Sequence, residues 1–160
     1  MFFAETQNKL LYAITGRTAA GIVTTRAGHT KLNMGLTSWV GAVVRKQDIV
    51  IAKNYLTADE LDSLNRFVSV FLETAELRAK NRQQIKMDFW RENADRIIEF
   101  NDKEVLTDKG GISNAEMEEK VAIVYRQFDA NRKKKDAERA DAADLEELTD
   151  LEILVKRCKL

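Results

Sequence analysis

A chain of 160 residues with 44% hydrophobic and 32% charged side chains is long enough for one domain to bury a core without disulfides or metals. Its single cysteine, Cys158, excludes an internal disulfide framework and fits a reducing cytoplasm. No apolar run approaches the roughly 20 residues that span a bilayer, and Met1–Glu5 lacks the basic flank and apolar stretch of a signal peptide. The net charge is zero, yet residues 1–56 hold seven Lys/Arg and two Asp/Glu against 19 and 24 in the remainder. A basic third beside an acidic remainder either steers a polyanion or pairs within one protein. There is no proline, so helices can run long, and the repeated turn signals of a sandwich or barrel are absent. The expected fold is all-α: a compact antiparallel helical bundle.

In chain order, Phe3, Leu10, Leu11 and Ile14 recur at helical spacing and predict a short amphipathic helix ended by Gly16. Thr18 is placed to cap a second helix over 19–27, with Ile22 and Val23 inward and Gly28 beyond its end. Residues 28–47 are turn-prone but carry Met34, Leu36, Trp39, Val40, Val43 and Val44, so an ordered loop folded onto the core is expected. Asp48–Tyr55 is compatible with a buried strand or with a helix capped by Asp48. Helix is favoured, because no second strand is available for pairing. Thr57–Glu60 is a capping box opening a helix to about Arg82, with Leu61, Leu64, Val68, Phe71 and Ala75 inward and Phe67 and Leu72 widening the stripe. A further helix is expected over 87–103, with Trp90, Ala94, Ile97, Ile98 and Asn101 facing in. After a turn at Lys109-Gly110-Gly111, Ser113–Glu116 caps another helix carrying Met117, Val121, Val124, Tyr125 and Phe128. Residues 131–144 have no large apolar side chain and predict a solvated helix. Leu148, Leu151, Val155 and Cys158 then alternate by three and four, a seam of two heptads that either docks on the bundle or pairs with another chain. The division expected is a helical domain over 1–128 and a charged helical extension over 129–160.

The segments Phe2-Phe3-Ala4-Glu5-Thr6-Gln7-Asn8-Lys9-Leu10 and Tyr12-Ala13-Ile14-Thr15-Gly16 carry a family resemblance. So do Asn33-Met34-Gly35-Leu36-Thr37-Ser38-Trp39, Arg45-Lys46 with Asp48, and Ile51-Ala52-Lys53-Asn54-Tyr55-Leu56. Together with Glu99-Phe100-Asn101 and Val105-Leu106-Thr107, they resemble the C-terminal half of the RhuM family of bacterial virulence-island proteins over about residues 2–128. The chain departs from that pattern at Gly21, where an acidic residue is common, and at Leu32, where proline is common. The resemblance implies a virulence- or defence-associated bacterial protein whose relatives add a winged-helix-like DNA-binding half. That half is expected to be missing here, the chain being a separate open reading frame or an excised fragment. The resemblance implies context and fold, with no mechanism.

For chemistry, Arg17 and Thr18 stand where a turn meets a helix N-terminus, a place suited to an anion. Lys31, Arg45 and Lys46 are expected to converge there, Asn33, Thr37 and Ser38 to belong to the same set, and Trp39 to offer a flat face for a base. Against this, Trp39 anchors the loop and the basic groups meet the acidic helices. Arg132–Lys135 is a basic run suited to phosphate backbone or simply to solvent. His29 has no His/Cys cluster around it in sequence, and no nucleophile motif is present, so no catalytic residue, metal or cofactor is assigned. Glu118-Glu119 and Glu146-Glu147 point apart on helices and make poor acid/base pairs. The favoured function is a non-catalytic interaction or oligomerisation module with Leu148, Leu151 and Val155 at its interface, bound to a protein partner or to itself, without a membrane. A nucleic-acid-binding module using the basic third is the alternative. A small enzyme built from Arg17, His29, Asn33, Thr37 and Asp48 within residues 16–55 is the third.

Overall fold

The computed structural model describes the backbone of residues 2–84 and 86–158 and the side chains of residues 4–84, 86–151 and 153. The side chains of Phe3, Val155 and Cys158, which figure in the expectations above, lie outside it. Five α-helices succeed one another: α1 (Phe2–Thr15), α2 (Ala19–Arg26), α3 (Ala58–Lys80), α4 (Met87–Phe100) and α5 (Asn114–Cys158). There is no strand among the described residues. No described helix is long and apolar enough to cross a membrane.

The helix boundaries follow local chemistry. Gly16 takes φ +68° after α1, and the Thr18 hydroxyl accepts from the Gly21 amide at 3.3 Å to start α2. At α3 the capping box is complete: Glu60 N donates to Thr57 Oγ1 at 3.3 Å and Thr57 N to Glu60 Oε2 at 2.9 Å. Ser113 and Glu116 repeat the device at α5, with Glu116 N donating to Ser113 Oγ at 3.2 Å and Ser113 N to Glu116 Oε2 at 3.0 Å. α3 and α4 both stop two or three residues earlier than expected. Each closes with paired bonds of the Schellman type, Gln83 N to Arg78 O and Arg82 N to Ala79 O in α3. In α4 the bonds are Lys103 N to Ile98 O and Asp102 N to Glu99 O. Arg82 and Asp102 take the left-handed turn that glycine normally fills (φ 53° and 55°), which is why no sequence signal marked these ends.

Two contiguous cores share α1. In the larger, Leu11 meets Ile22 and Val23 of α2, Met34, Leu36 and Val44 of the loop, Tyr55, and Met117 and Val121 of α5. In the smaller, Leu10 and Ala13 meet Phe67 of α3 and Ile98 of α4. α1 packs on α2, α3 and α4, while α2 packs on α5. The short helices thus hold the middle. α2 is only eight residues long, and its fully buried Ile22 and Val23 secure it there through packing rather than propensity. Along α3 the inward line is Leu61, Leu64, Phe67 and Phe71; Val68 is exposed, which corrects the expected stripe. Beyond Phe67 the helix touches α4 through aromatic contacts, Phe71 stacking on Trp90 with ring centroids 5.7 Å apart.

Residues 28–47 are ordered as expected, around buried Met34, Leu36 and Val44. Asn33, Met34 and Gly35 all have positive φ (49°, 61°, 86°). A Cβ at Gly35 would stand 2.5 Å from the Arg26 carbonyl oxygen, so this turn requires glycine there. The helix expected from Asp48 is absent. A turn is followed by a single 3₁₀ turn, Ala52–Tyr55. The reason is competition for carbonyls. Asn54 Nδ2 donates to Asp48 O at 3.0 Å and the buried Tyr55 hydroxyl to Ile49 O at 2.9 Å. Those are the acceptors that the first two α-helical bonds would use. The Asp48 carboxylate points backward, accepting from Arg45 N at 2.9 Å, and caps nothing ahead of it.

Candidate functional site

The loop is fastened to the body by one polar knot. Arg26, in the last turn of α2, makes a two-pronged ion pair with Glu60 at 2.6 Å on each arm, and donates to Tyr55 O at 2.7 Å. Glu60 also holds the cap of α3, so the Arg26–Glu60 pair ties α2, the 3₁₀ turn and α3 together. The Arg26 hydrogen bond is the main cause of the Glu60 pKa being lowered to about 2. Lys31 Nζ donates to Arg26 O at 2.7 Å, a cation closing the C-terminus of α2. Thr37 Oγ1 donates to Leu56 O at 2.6 Å and to Asn54 O at 3.0 Å, and the Thr37 and Ser38 amides also donate to Asn54 O. Trp39 is half-buried against the larger core. Thr37, Ser38 and Trp39 all take part in fastening the loop to the body.

The candidate residues are distributed over separate places. Arg17 and Thr18 line a cleft of about 350 Å³ together with Asp108 and Gly110. Thr18 is itself buried there. The α2 N-terminus beside them has protein acceptors: Ala19 N donates to Asn8 Oδ1 at 3.0 Å and Gly21 N to Thr18 Oγ1. Lys31 and Asn33 line a different cleft, about 740 Å³, between the loop and α5. Arg45 and Lys46 are exposed, one and two residues beyond Val44, whose carbonyl accepts from the Tyr125 hydroxyl of α5 at 3.5 Å.

The loop–α5 cleft has the strongest charge character. Lys31 faces Arg132, Lys134, Lys135 and Arg139, with Asp136 and Glu138 as the acidic members and His29 at the loop side. Arg132 and Lys133 both bind Asp129, and Arg132, ahead of Lys133, lowers the pKa of that carboxylate. Lys134 lies 3.9 Å from Glu138. Among the described residues no ion pair engages Lys135 or Arg139. Composition had identified the basic run and the loop lysine separately; their meeting needed the fold.

The second candidate is the free half of α5. From Lys133 to Leu151 every residue is exposed, including Leu145, Leu148 and Leu151. Leu148 and Leu151 belong to the expected seam; the Val155 side chain lies outside the described residues. Among the described residues no group of three or more His, Cys, Asp or Glu is placed to hold a metal ion.

Two contributors to this arrangement go beyond the sequence reading. Arg26 carried a usable signal, a basic residue in a helix's last turn just before Gly28. Asn8 carried none, because its partner lies on the next helix. The charge asymmetry is partly consumed inside the protein, with Lys9 bonding Asp95 at 2.7 Å as Arg26 does Glu60.

A family model described as "Virulence protein RhuM family" matches residues 1–136. No curated protein and no solved structure matches.

Proposed function

The chain belongs to the virulence protein RhuM family, and from that premise we propose that it is a non-catalytic helical association module whose contact surface is the free half of α5. The match covers the whole body and ends at residue 136, just where α5 has left it. Residues 1–128 then act as the folded domain and 129–160 as the extension that meets a partner. The observation carrying this is the exposure of Leu145, Leu148 and Leu151 at 66%, 60% and 51% on a helix with no body behind it. Isolated apolar side chains are ordinary on surfaces, but a seam of them on a projecting helix is the sequence form of a helix-pairing site. A cytoplasmic location fits the lone thiol. Light scattering tests the proposal: the protein is expected to exceed the mass of one chain at high concentration, and Leu151→Asp to return it to monomer. A strict monomer that also captures no helical partner would end it.

A second function is favoured by the loop–α5 cleft, which five cations and two carboxylates line: binding of nucleic-acid phosphates without base readout. Binding would fall steeply with salt, each neutralised phosphate adding to the slope. Replacing Lys135 and Arg139 by Glu is expected to lower both affinity and slope in fluorescence anisotropy with duplex DNA and with RNA. Equal loss from changing Arg45 and Lys46 would place the contact on the loop instead, and no binding at low salt would remove it.

A further inference from the structure

Resting on the phosphate-binding role proposed for the loop–α5 cleft, we infer that its ligand is a single nucleic-acid strand lying between the two walls, in preference to a duplex lying across them. The α5 wall is built by a change along one helix face. Val121, Tyr125 and Phe128 follow one another by four and three residues and belong to the larger core. The same alternation continues to Arg132, Lys135 and Arg139, so the face that meets the body turns from apolar to cationic as α5 leaves it. The opposite wall is the loop, with Thr30 and Lys31.

Beyond Phe128 the α5 wall offers the loop no apolar side chain, and cations on both walls repel. Among the described residues no ion pair engages Lys31, Lys135 or Arg139, and Asp136 and Glu138 do not balance the five cations. A polyanion between the walls relieves that repulsion from both sides. The dimensions select its form. From Phe128 to Arg139 the α5 wall is about 16 Å long at 1.5 Å per residue. The cleft volume of about 740 Å³, spread over that length, leaves a cross-section on the order of 45 Å². That is room for one sugar-phosphate backbone. A duplex, whose major groove alone is roughly 12 Å wide, is too broad to enter. A positively charged groove that follows the backbone is the way proteins hold single strands irrespective of sequence.

Fluorescence anisotropy with the full chain provides the test. The probes are labelled oligo-dT and oligo-U strands of about 12 nucleotides and a DNA duplex of the same length, all at low salt. At least one single strand is expected to bind about tenfold or more tightly than the duplex, and the stronger of the two identifies DNA or RNA as the source. Its log K should fall against log salt with a slope of about −2, the value for three phosphate contacts on a single strand. Thr30→Glu places a carboxylate on the loop wall and leaves the Lys31 bond to the Arg26 carbonyl in place. Arg139→Glu does the same on the α5 wall. Each is expected to weaken single-strand binding about tenfold. Duplex binding as tight as that of both single strands, or either variant without effect, would overturn the inference and leave the phosphate-binding role standing. No binding of any of the three probes at low salt would defeat that role itself.

Discussion

Glu60 joins the start of α3 to the end of α2 through two oxygens. Oε2 accepts from the Thr57 amide and from Arg26 Nη1, and Oε1 accepts from Arg26 Nη2. The capping half of this arrangement was legible because Thr57 and Glu60 are three residues apart on one helix start. The ionic half was not, since Arg26 is 34 positions away and only the packing of α2 brings it near. The energetics follow from the charge state. The carboxylate pKa falls from 4.5 to about 2 on folding, so the folded state favours the ionised form. Its contribution is complete above the unfolded pKa and fades as pH drops from 4.5 toward 2. Discounted for partial exposure, it amounts to about 2–3 kcal/mol. Glu60→Gln is therefore expected to lose about that much at pH 7, measured by urea unfolding. The difference between the two proteins should shrink as pH falls and be nearly gone near the folded pKa. A constant difference between neutral and acid pH would mean that Glu60 acts by shape alone.

At the scale of elements, legibility tracked whether the deciding partner was local. α1, α2 and the two capped starts were readable from spacing and caps because each depends on residues within one or two turns. Asp48–Tyr55 was not. Its apolar run satisfied the requirements for a helix, but the Asn54 and Tyr55 side chains take the Asp48 and Ile49 carbonyls. Short segments have few bonds to lose, so two side chains decide their form. The inward face of α3 is narrower than its apolar stripe: Phe67 is buried while Val68 and Leu72 are exposed, because Phe67, Val68, Phe71 and Leu72 make a broad stripe with no sharp centre. The loop 28–47 was rightly read as ordered, since Met34, Leu36 and Val44 carry too much apolar surface to leave in water. Its turn through three successive positive φ angles was beyond reach. Gly35 hinted at one such position, whereas Asn33 and Met34 adopt theirs under tertiary packing.

For the whole molecule, the exposure of α5 from Lys133 to Leu151 follows from composition. Residues 131–144 lack large apolar side chains, so nothing there can anchor to a core, and the continuity of α5 over 45 residues rests on helix propensity alone past Arg132. A helix packed over one stretch and solvated over another opens more readily along the solvated stretch. Amide hydrogen exchange should therefore divide α5 in two. Amides around Val121, whose helix face is buried, are expected to exchange only with opening of the core, and those from Lys133 onward far faster. Association would then leave its own signature. If the proposed association surface pairs, raising the protein concentration should raise protection around the exposed Leu145, Leu148 and Leu151 while that over 133–139 stays low. Leu151→Asp should abolish the rise without touching protection at Val121. Uniform protection along α5 at every concentration would contradict the division into body and extension. A concentration-dependent rise centred on Lys134 and Lys135 would move the contact to the basic cleft.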